Sequence, residues 1–135
     1  MKKILWIWIL PLFLGLLAGC GPKDSNLTEA NNGQPTTLYV GGKVVIELPA
    51  NPTTGYTWDV GEVDTNILKQ VGKTEYNSSS SNPVPGQGGT QTLRFQAIAP
   101  GKTTLKLIYH RPFESNTPPI QIYTIPVIVV PLGPS

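Results

Sequence analysis

From residue 36 onward, apolar residues recur at every second position in short runs separated by glycine and proline. In the run KVVIEL, for example, Val44, Ile46 and Leu48 share one face. A period of two is that of a half-buried β-strand, and no run has the helical period of 3.6. About seven to eight such strands over roughly 100 residues predict an all-β, immunoglobulin-like sandwich of antiparallel strands.

Residues 1–19 have the pattern of a secretory signal, with Lys2 and Lys3 ahead of an apolar stretch. That stretch is shorter than the roughly 20 residues of a membrane-spanning helix, and Pro11 interrupts it. The segment Leu-Ala-Gly-Cys that ends at Cys20 resembles a bacterial lipobox, in which the cysteine is acylated after cleavage. A plain secretory signal is the alternative. Because Cys20 is the only cysteine, no disulfide can form within the chain.

Residues 20–35 are polar and follow neither period, which predicts a flexible tether between Cys20 and a domain at residues 36–135. The predicted location is the bacterial cell envelope, at the outer membrane or cell surface, through a lipid on Cys20. The signal holds two of the ten basic residues, which leaves eight against eight acidic ones. A near-neutral domain has no electrostatic footprint for nucleic acid. We also expect a monomer.

Side chains that could catalyse a reaction or bind a metal are few. His110 is the only histidine, and its alternation with Tyr109 places it on the outer face of a strand. The acidic residues are scattered singly, whereas a zinc site needs three or four ligands at workable spacing. An enzyme needs a nucleophile with a base, a carboxylate pair or a metal. We therefore predict no catalytic residue, no metal, no cofactor and no enzymatic activity.

Three connections between the predicted strands have unusually specific sequences: NPTTGYTW from Asn51, GQGG from Gly86 and RPF from Arg111. Each follows an even-numbered strand in the predicted order, and alternate connections of an antiparallel sandwich lie at the same end. We therefore expect all three at one pole. Turn chemistry alone could also explain Pro52 and Gly55, because proline presets φ and glycine adopts positive φ.

In this order and spacing, NPTTGYTW, GQGG and YHRPFE resemble the chagasin family of cysteine protease inhibitors, which block papain-like enzymes. The resemblance covers roughly residues 38–130. It implies an immunoglobulin-like sandwich whose three loops form a wedge, with the first loop in the catalytic groove and Thr53 beside the catalytic cysteine. The protease-binding residues that it implies are Asn51, Pro52, Thr53, Thr54, Gly55 and Tyr56 in the first loop, Gly86, Gln87, Gly88 and Gly89 in the second, and Arg111, Pro112 and Phe113 in the third.

One position departs from the family pattern, since Phe113 stands where the family usually has tryptophan. Phenylalanine lacks the N–H donor of tryptophan and some of its apolar area. We therefore expect binding to the protease to be weaker by about 1 kcal/mol. The leading hypothesis is a reversible, tight-binding inhibitor of papain-like cysteine proteases. The alternative is an immunoglobulin-like envelope lipoprotein that binds a polysaccharide or a surface protein through the same loops. A structural module without a ligand would leave the order of the motifs unexplained.

Overall fold

The computed structural model describes residues 24–82 and 84–133, so the predicted signal and Cys20 lie outside the described residues. The described part of the chain forms two facing β-sheets and contains two short 3-10 turns but no α-helix. None of its segments is a helix that is long and apolar enough to cross a membrane. The strands are β1 (Ser25–Thr28), β2 (Thr36–Tyr39), β3 (Lys43–Ala50), β4 (Thr57–Glu62), β5 (Leu68–Gln70), β6 (Glu75–Ser78), β7 (Gly89–Ala97), β8 (Gly101–His110) and β9 (Gln121–Val130).

The first sheet has the strand order β1-β3-β7-β5, with β6 also paired to β7, and the second has the order β2-β9-β8-β4. β5 and β6 both pair antiparallel with β7, at opposite ends of it. They therefore run in the same direction, as two parts of one interrupted strand. The segment ILKQVGKTEY contains β5 and the first two residues of β6.

The prediction that all strands are antiparallel is wrong for two pairs. β1 runs parallel to β3, with Ser25 opposite Val44, and β2 runs parallel to β9. Both are outer strands of their sheets. The structure thus keeps the predicted immunoglobulin-like sandwich but builds it from two mixed sheets.

The prediction that residues 20–35 are a flexible tether is wrong for their described part, because β1 belongs to the first sheet. Leu27 is buried in the core, and the Asn32 Oδ1 accepts the amide N–H of Thr124 in β9 at 2.9 Å. The sandwich therefore includes residues ahead of the predicted boundary at residue 36. β1 has only four residues, of which one is buried, so a period of two cannot be recognised in its sequence.

The core lies between the sheets and consists of the inward-facing apolar side chains, from Leu27 in β1 to Val129 in β9. The alternation predicted for β3 is confirmed, because Val44, Ile46 and Leu48 are each at most 1% exposed. Buried apolar surface contributes roughly 25 cal/mol per Å², so this core is the main source of stability in a fold without an internal disulfide.

Tyr123 is a buried polar anchor of the core. Its side chain is fully enclosed, and its hydroxyl donates a hydrogen bond to the Thr28 carbonyl oxygen at 2.9 Å. Burial raises the pKa of Tyr123 to about 12, because a phenolate would lose its hydration there. The neutral phenol thus fastens the second sheet to the end of β1.

Candidate functional site

Three loops meet at one pole of the sandwich. The first loop (residues 51–56) joins β3 to β4, the second (residues 79–88) joins β6 to β7, and the third (residues 111–120) joins β8 to β9. The Asn51 Nδ2 donates to the Gly86 carbonyl at 3.1 Å, and the Arg111 Nε donates to the Thr54 carbonyl at 3.1 Å. These contacts confirm the predicted common pole. The loops share this pole because β5 and β6 run in the same direction and count as one strand in the alternation.

The first loop is a single 3-10 turn over Pro52–Thr54. The Thr54 N–H donates to the Asn51 carbonyl at 3.1 Å, and the Gly55 N–H donates to the Pro52 carbonyl at 2.9 Å. Proline at the first position of a turn loses no hydrogen bond, because that N–H has no partner within the turn. Gly55 then takes a φ of 83°, which reverses the chain into β4 and is strained for any other residue.

The two exposed threonine side chains at the tip hold the loop together. The Thr53 Oγ1 donates to the Asn51 Oδ1 at 2.5 Å, and the Thr54 Oγ1 donates to the Asn51 carbonyl at 2.6 Å. Both hydroxyl protons are therefore used within the loop, while the hydroxyl oxygens keep lone pairs that can accept a hydrogen bond. The tip is consequently small, stiff and lined with acceptors.

Asn51 connects the first loop to both of its neighbours. Its backbone N–H donates to the Tyr109 hydroxyl in β8 at 2.9 Å, which ties the loop to the second sheet. Its side chain donates to Gly86 in the second loop and accepts from Thr53. One asparagine thus uses its backbone N–H and both ends of its carboxamide, and a shorter or apolar side chain would separate the loops.

Arg111 fixes the third loop against the first. Its guanidinium carbon lies 4.5 Å from the centre of the Tyr56 ring, and the Tyr56 ring stacks on Tyr109 at 5.4 Å between centroids. Its Nη1 donates to the Glu114 Oε1 at 3.0 Å, and this hydrogen bond raises the pKa of Arg111. The sequence motif included Glu114, but its role as the partner of Arg111 was not predicted. The spacing of three residues between opposite charges was the available signal.

Phe113 is the most exposed large apolar side chain of the pole, with 71% of its surface accessible. Its ring edge lies over Gly55, where an added Cβ would meet two ring carbons at 3.0 Å. Contact distances under 3.4 Å are tighter than most carbon contacts, so this approach favours glycine at position 55. An exposed aromatic ring beside a rigid loop is typical of a binding anchor.

Glycines shape the second loop for two different reasons. Gly86 has a φ of 89°, which suits glycine in the turn, and the Ser79 Oγ donates to the Gly88 carbonyl at 2.6 Å to close the loop base. Gly89 begins β7 between β3 and β6, and a Cβ there would overlap the Asn77 carbonyl and the Tyr76 ring. The GQGG motif is therefore explained by backbone conformation at one end and by packing at the other.

Known proteins have sequences similar to that of this domain. The model of the chagasin family peptidase inhibitors, I42, matches residues 37–127. The chain belongs to the chagasin family. Chagasin of Trypanosoma cruzi is 31% identical over 102 residues, which are 73% of this chain and 92% of that protein. Amoebiasin-1 of Entamoeba histolytica is 33% identical over 92 residues, which are 67% of this chain and 86% of that protein.

Two solved structures share the fold of this chagasin-family domain. The cysteine protease inhibitor EhICP2 from Entamoeba histolytica superposes with a TM-score of 0.70 at 24% identity, covering 80% of this chain and 96% of that one. The solution structure of Amebosin gives a TM-score of 0.65 at 31% identity, covering 82% and 100%. Membership of this family confirms the predictions of a cysteine protease inhibitor and of no enzymatic activity. These comparisons do not favour the alternative, in which the same loops bind a polysaccharide or a surface protein.

His110 lies beside the pole of this chagasin-family domain without forming a metal site. It is half-buried on the outer side of β8, and its Nε2 is 2.8 Å from the Asp59 Oδ2 in the neighbouring strand β4. Among residues 24–82 and 84–133, no three potential metal ligands cluster together. The histidine and the aspartate therefore form a local pair that links two strands below the third loop.

Proposed function

We propose that the protein inhibits papain-like cysteine proteases reversibly, with the first loop in the catalytic groove and the second and third loops against its walls. The observation that carries this proposal is the pair of hydrogen bonds from Asn51 to Gly86 and from Arg111 to Thr54. They join three loops that are distant in sequence into one surface. That surface is a wedge with Thr53 and Thr54 at its tip.

The rigidity of the first loop supports inhibition without cleavage. A nucleophilic cysteine needs a substrate carbonyl at near-attack distance and alignment. The Asn51 carbonyl is already engaged by the Thr54 amide and hydroxyl, and the Pro52 carbonyl is engaged by Gly55. A loop in this turn does not open into the extended form that a protease cleaves. Its preorganisation also lowers the entropy cost of binding.

The two flanks of the wedge differ chemically. The third loop presents the exposed Phe113 ring and the Arg111 stem, while the exposed part of the second loop presents Gln87, backbone and the smaller apolar side chain of Val84. We propose that Phe113 is the apolar anchor and that Gln87, Gly88 and neighbouring backbone make polar contacts with the opposite wall. Interfaces of standard size bury about 800 Å² per partner, an area that three adjacent loops can supply.

Titration of papain with the protein tests this proposal. A chain from Gly21 keeps every core residue, because the core extends only from Leu27 to Val129. Thr53→Lys puts a long cation at the tip and should weaken inhibition at least a hundredfold. The matched control is Thr37→Lys, which places the same charge on an exposed position of β2 at the opposite pole. Full papain activity at micromolar wild-type protein, or equal effects of the two lysines, would refute the assignment.

We also propose that Cys20 is lipidated and that the exported protein is a monomer held on the bacterial envelope. β1 runs parallel to β3, and β3 ends at the first loop, so the chain enters the sandwich at the pole opposite the wedge. β3 alone spans eight residues, or about 25 Å at roughly 3.3 Å per residue. A lipid ahead of Ser25 would leave the loops facing away from the membrane.

Expression of the full chain in a bacterial host with a labelled fatty acid tests the anchor. The label should enter the wild-type protein and fractionate with membranes, and Cys20→Ser should lose both the label and the membrane association. If the wild-type protein carries no label, the alternative of a plain secretory signal is correct instead. Light scattering of the chain from Gly21 at increasing concentration measures its molecular mass and so tests whether the protein is a monomer.

A further inference from the structure

A buried glutamine links the two sheets directly beneath the wedge. Gln91 occupies the inward register of β7, in line with the apolar side chains of Leu93 and Phe95, and is only 6% exposed. Its carboxamide reaches across to the second sheet and contacts β4, the outer strand of that sheet. A polar side chain in this register is costly unless all its hydrogen bonds are made.

The Gln91 carboxamide takes the place of a neighbouring strand. Its Oε1 accepts the Trp58 N–H at 2.9 Å, and its Nε2 donates to the Trp58 carbonyl at 3.1 Å and to the Thr57 Oγ1 at 2.9 Å. Donor and acceptor thus match the free edge of β4, and both amide protons are used. The orientation of the carboxamide follows from these partners, since the flipped form would set oxygen against the Trp58 carbonyl.

The position of this contact relates it to the loops. Thr57 begins β4 directly after the first loop, and Gln91 lies two residues beyond Gly89, where the second loop enters β7. Trp58 also donates its indole Nε1–H to the Pro49 carbonyl at 3.0 Å, just ahead of the first loop. β4, which leaves the first loop, is therefore held by two other strands. One is β7, which leaves the second loop, and the other is β3, which enters the first loop.

We propose that Gln91 is a positioning residue for inhibition, which sets the spacing between the first and second loops although it does not touch the protease. This inference rests on the proposed function of the wedge. Without the carboxamide, the start of β4 would lose its link to β7, and its buried N–H and carbonyl would lack partners. The first loop would then move relative to the second and fit the groove less well.

Gln91→Leu tests the proposal, with Phe95→Leu as the control on the same strand and the same face. Phe95 lies four residues further from the loops, about 13 Å along the strand, and its truncation also destabilises the core. We expect Gln91→Leu to raise the inhibition constant for papain at least tenfold, mainly through faster dissociation, and to make the first loop cleavable. At a similar loss of melting temperature, Phe95→Leu should change the inhibition constant less than twofold. Equal effects of the two variants on inhibition would overturn the proposal.

Gln91→Glu is the second test of the proposal, for use if Gln91→Leu does not fold. The carboxylate keeps the length and one acceptor but lacks the two donors, and protonation restores one of them. Burial raises the pKa of a carboxyl group, so inhibition relative to wild type should recover as pH falls from 7.5 to 5. A ratio that does not change with pH would contradict the proposal.

Amide hydrogen exchange separates this inference from the proposed function. If wild type itself fails to inhibit papain, the proposed function fails, but the Gln91 contact is still measured in the free protein. In Gln91→Leu, the amides of Trp58 and Asn51 should exchange at least tenfold faster than in Phe95→Leu. Unchanged exchange at both amides would show that Gln91 does not position the loop.

Discussion

The hydroxyl of Tyr109, from the second sheet, accepts the backbone N–H of Asn51, the first residue of the loop that leaves the first sheet. The Tyr109 ring is nearly buried, packing on Trp58 at 5.0 Å between centroids and on Tyr56 at 5.4 Å. The base of the wedge is thus built on a stack of aromatic rings that ends in one hydrogen bond.

Tyr109→Phe keeps the ring stack and removes that hydrogen bond. We expect a loss of about 1 kcal/mol in the free energy of unfolding, the usual value for one such bond, together with several-fold weaker inhibition. Urea denaturation and papain titration measure the two effects. The control is Tyr39→Phe, on an exposed tyrosine at the opposite pole, which should change neither. Identical results for both variants would show that the hydroxyl has no role in the loop.

Gly55→Ala should weaken inhibition for two reasons, the positive φ and the contact with Phe113. Gly33 is a matched control, because its φ of 81° is nearly the same and an added Cβ would meet nothing within 4 Å. Each alanine should cost roughly 1 kcal/mol of stability through its backbone conformation. Only Gly55→Ala should displace the Phe113 ring and raise the inhibition constant. A similar rise for Gly33→Ala would point to a general loss of stability instead.

Phe113 should contribute to binding and little to folding, because most of its surface is exposed. We expect Phe113→Ala to change the free energy of unfolding by less than about 0.5 kcal/mol and to weaken papain binding tenfold or more, about 1.4 kcal/mol. Phe113→Trp should strengthen binding by about 1 kcal/mol, through a larger ring and an N–H donor. Leu132→Ala, an exposed apolar residue after β9, is the control. Wild-type affinity in Phe113→Ala would exclude an anchor.

The segment ahead of residue 36 should be needed for stability. Leu27→Ala removes a buried side chain of β1, for which we expect a loss of about 2–5 kcal/mol in the free energy of unfolding. Asn26→Ala changes an exposed side chain on the same strand and should have little effect. Chemical denaturation of both variants is the measurement. A loss below about 0.5 kcal/mol for Leu27→Ala would restore the prediction of a flexible tether.

Tyr123 should make stability fall at alkaline pH. Its pKa of about 12 exceeds the value of about 10 for a free tyrosine, so the folded protein retains a proton that the unfolded chain releases. This contribution is complete below pH 10 and is lost as pH rises toward 12. Tyr123→Phe should be less stable at pH 8, because it lacks the hydrogen bond to Thr28, yet show a shallower decline from pH 10 to 11.5. Parallel curves of unfolding free energy against pH would contradict this assignment.

The sequence was most informative where one face of a strand is buried. Such burial forces an alternation that can be counted, as in β3, and the predicted inward residues there are all in the core. Strand direction is different, because the alternation is the same in parallel and antiparallel pairs. The parallel pairing of β1 with β3 and of β2 with β9 therefore could not be predicted, and β1 is also too short to show an alternation.

The common pole of the loops could be predicted, but their internal contacts could not. The pole follows from strand order, whereas the hydrogen bonds of Thr53 and Thr54 depend on side-chain torsions within one turn. The family resemblance assigns the two threonines to protease binding, and in the structure their hydroxyl protons serve the loop itself. Gln91 did leave a signal, as a polar residue in an apolar register, but only the opposite strand shows what it binds.

The loops of the wedge have unequal mechanical support. β6, which leads into the second loop, pairs with β7 alone, and its four residues are all at least partly exposed. The first loop, in contrast, is fastened by Tyr109, Arg111 and its own turn. A short strand with few buried contacts opens at low free energy. The strand that leads into the second loop should therefore open at a lower free energy than the first loop does, while the hydrogen bond from Asn51 to Gly86 keeps the two loops joined.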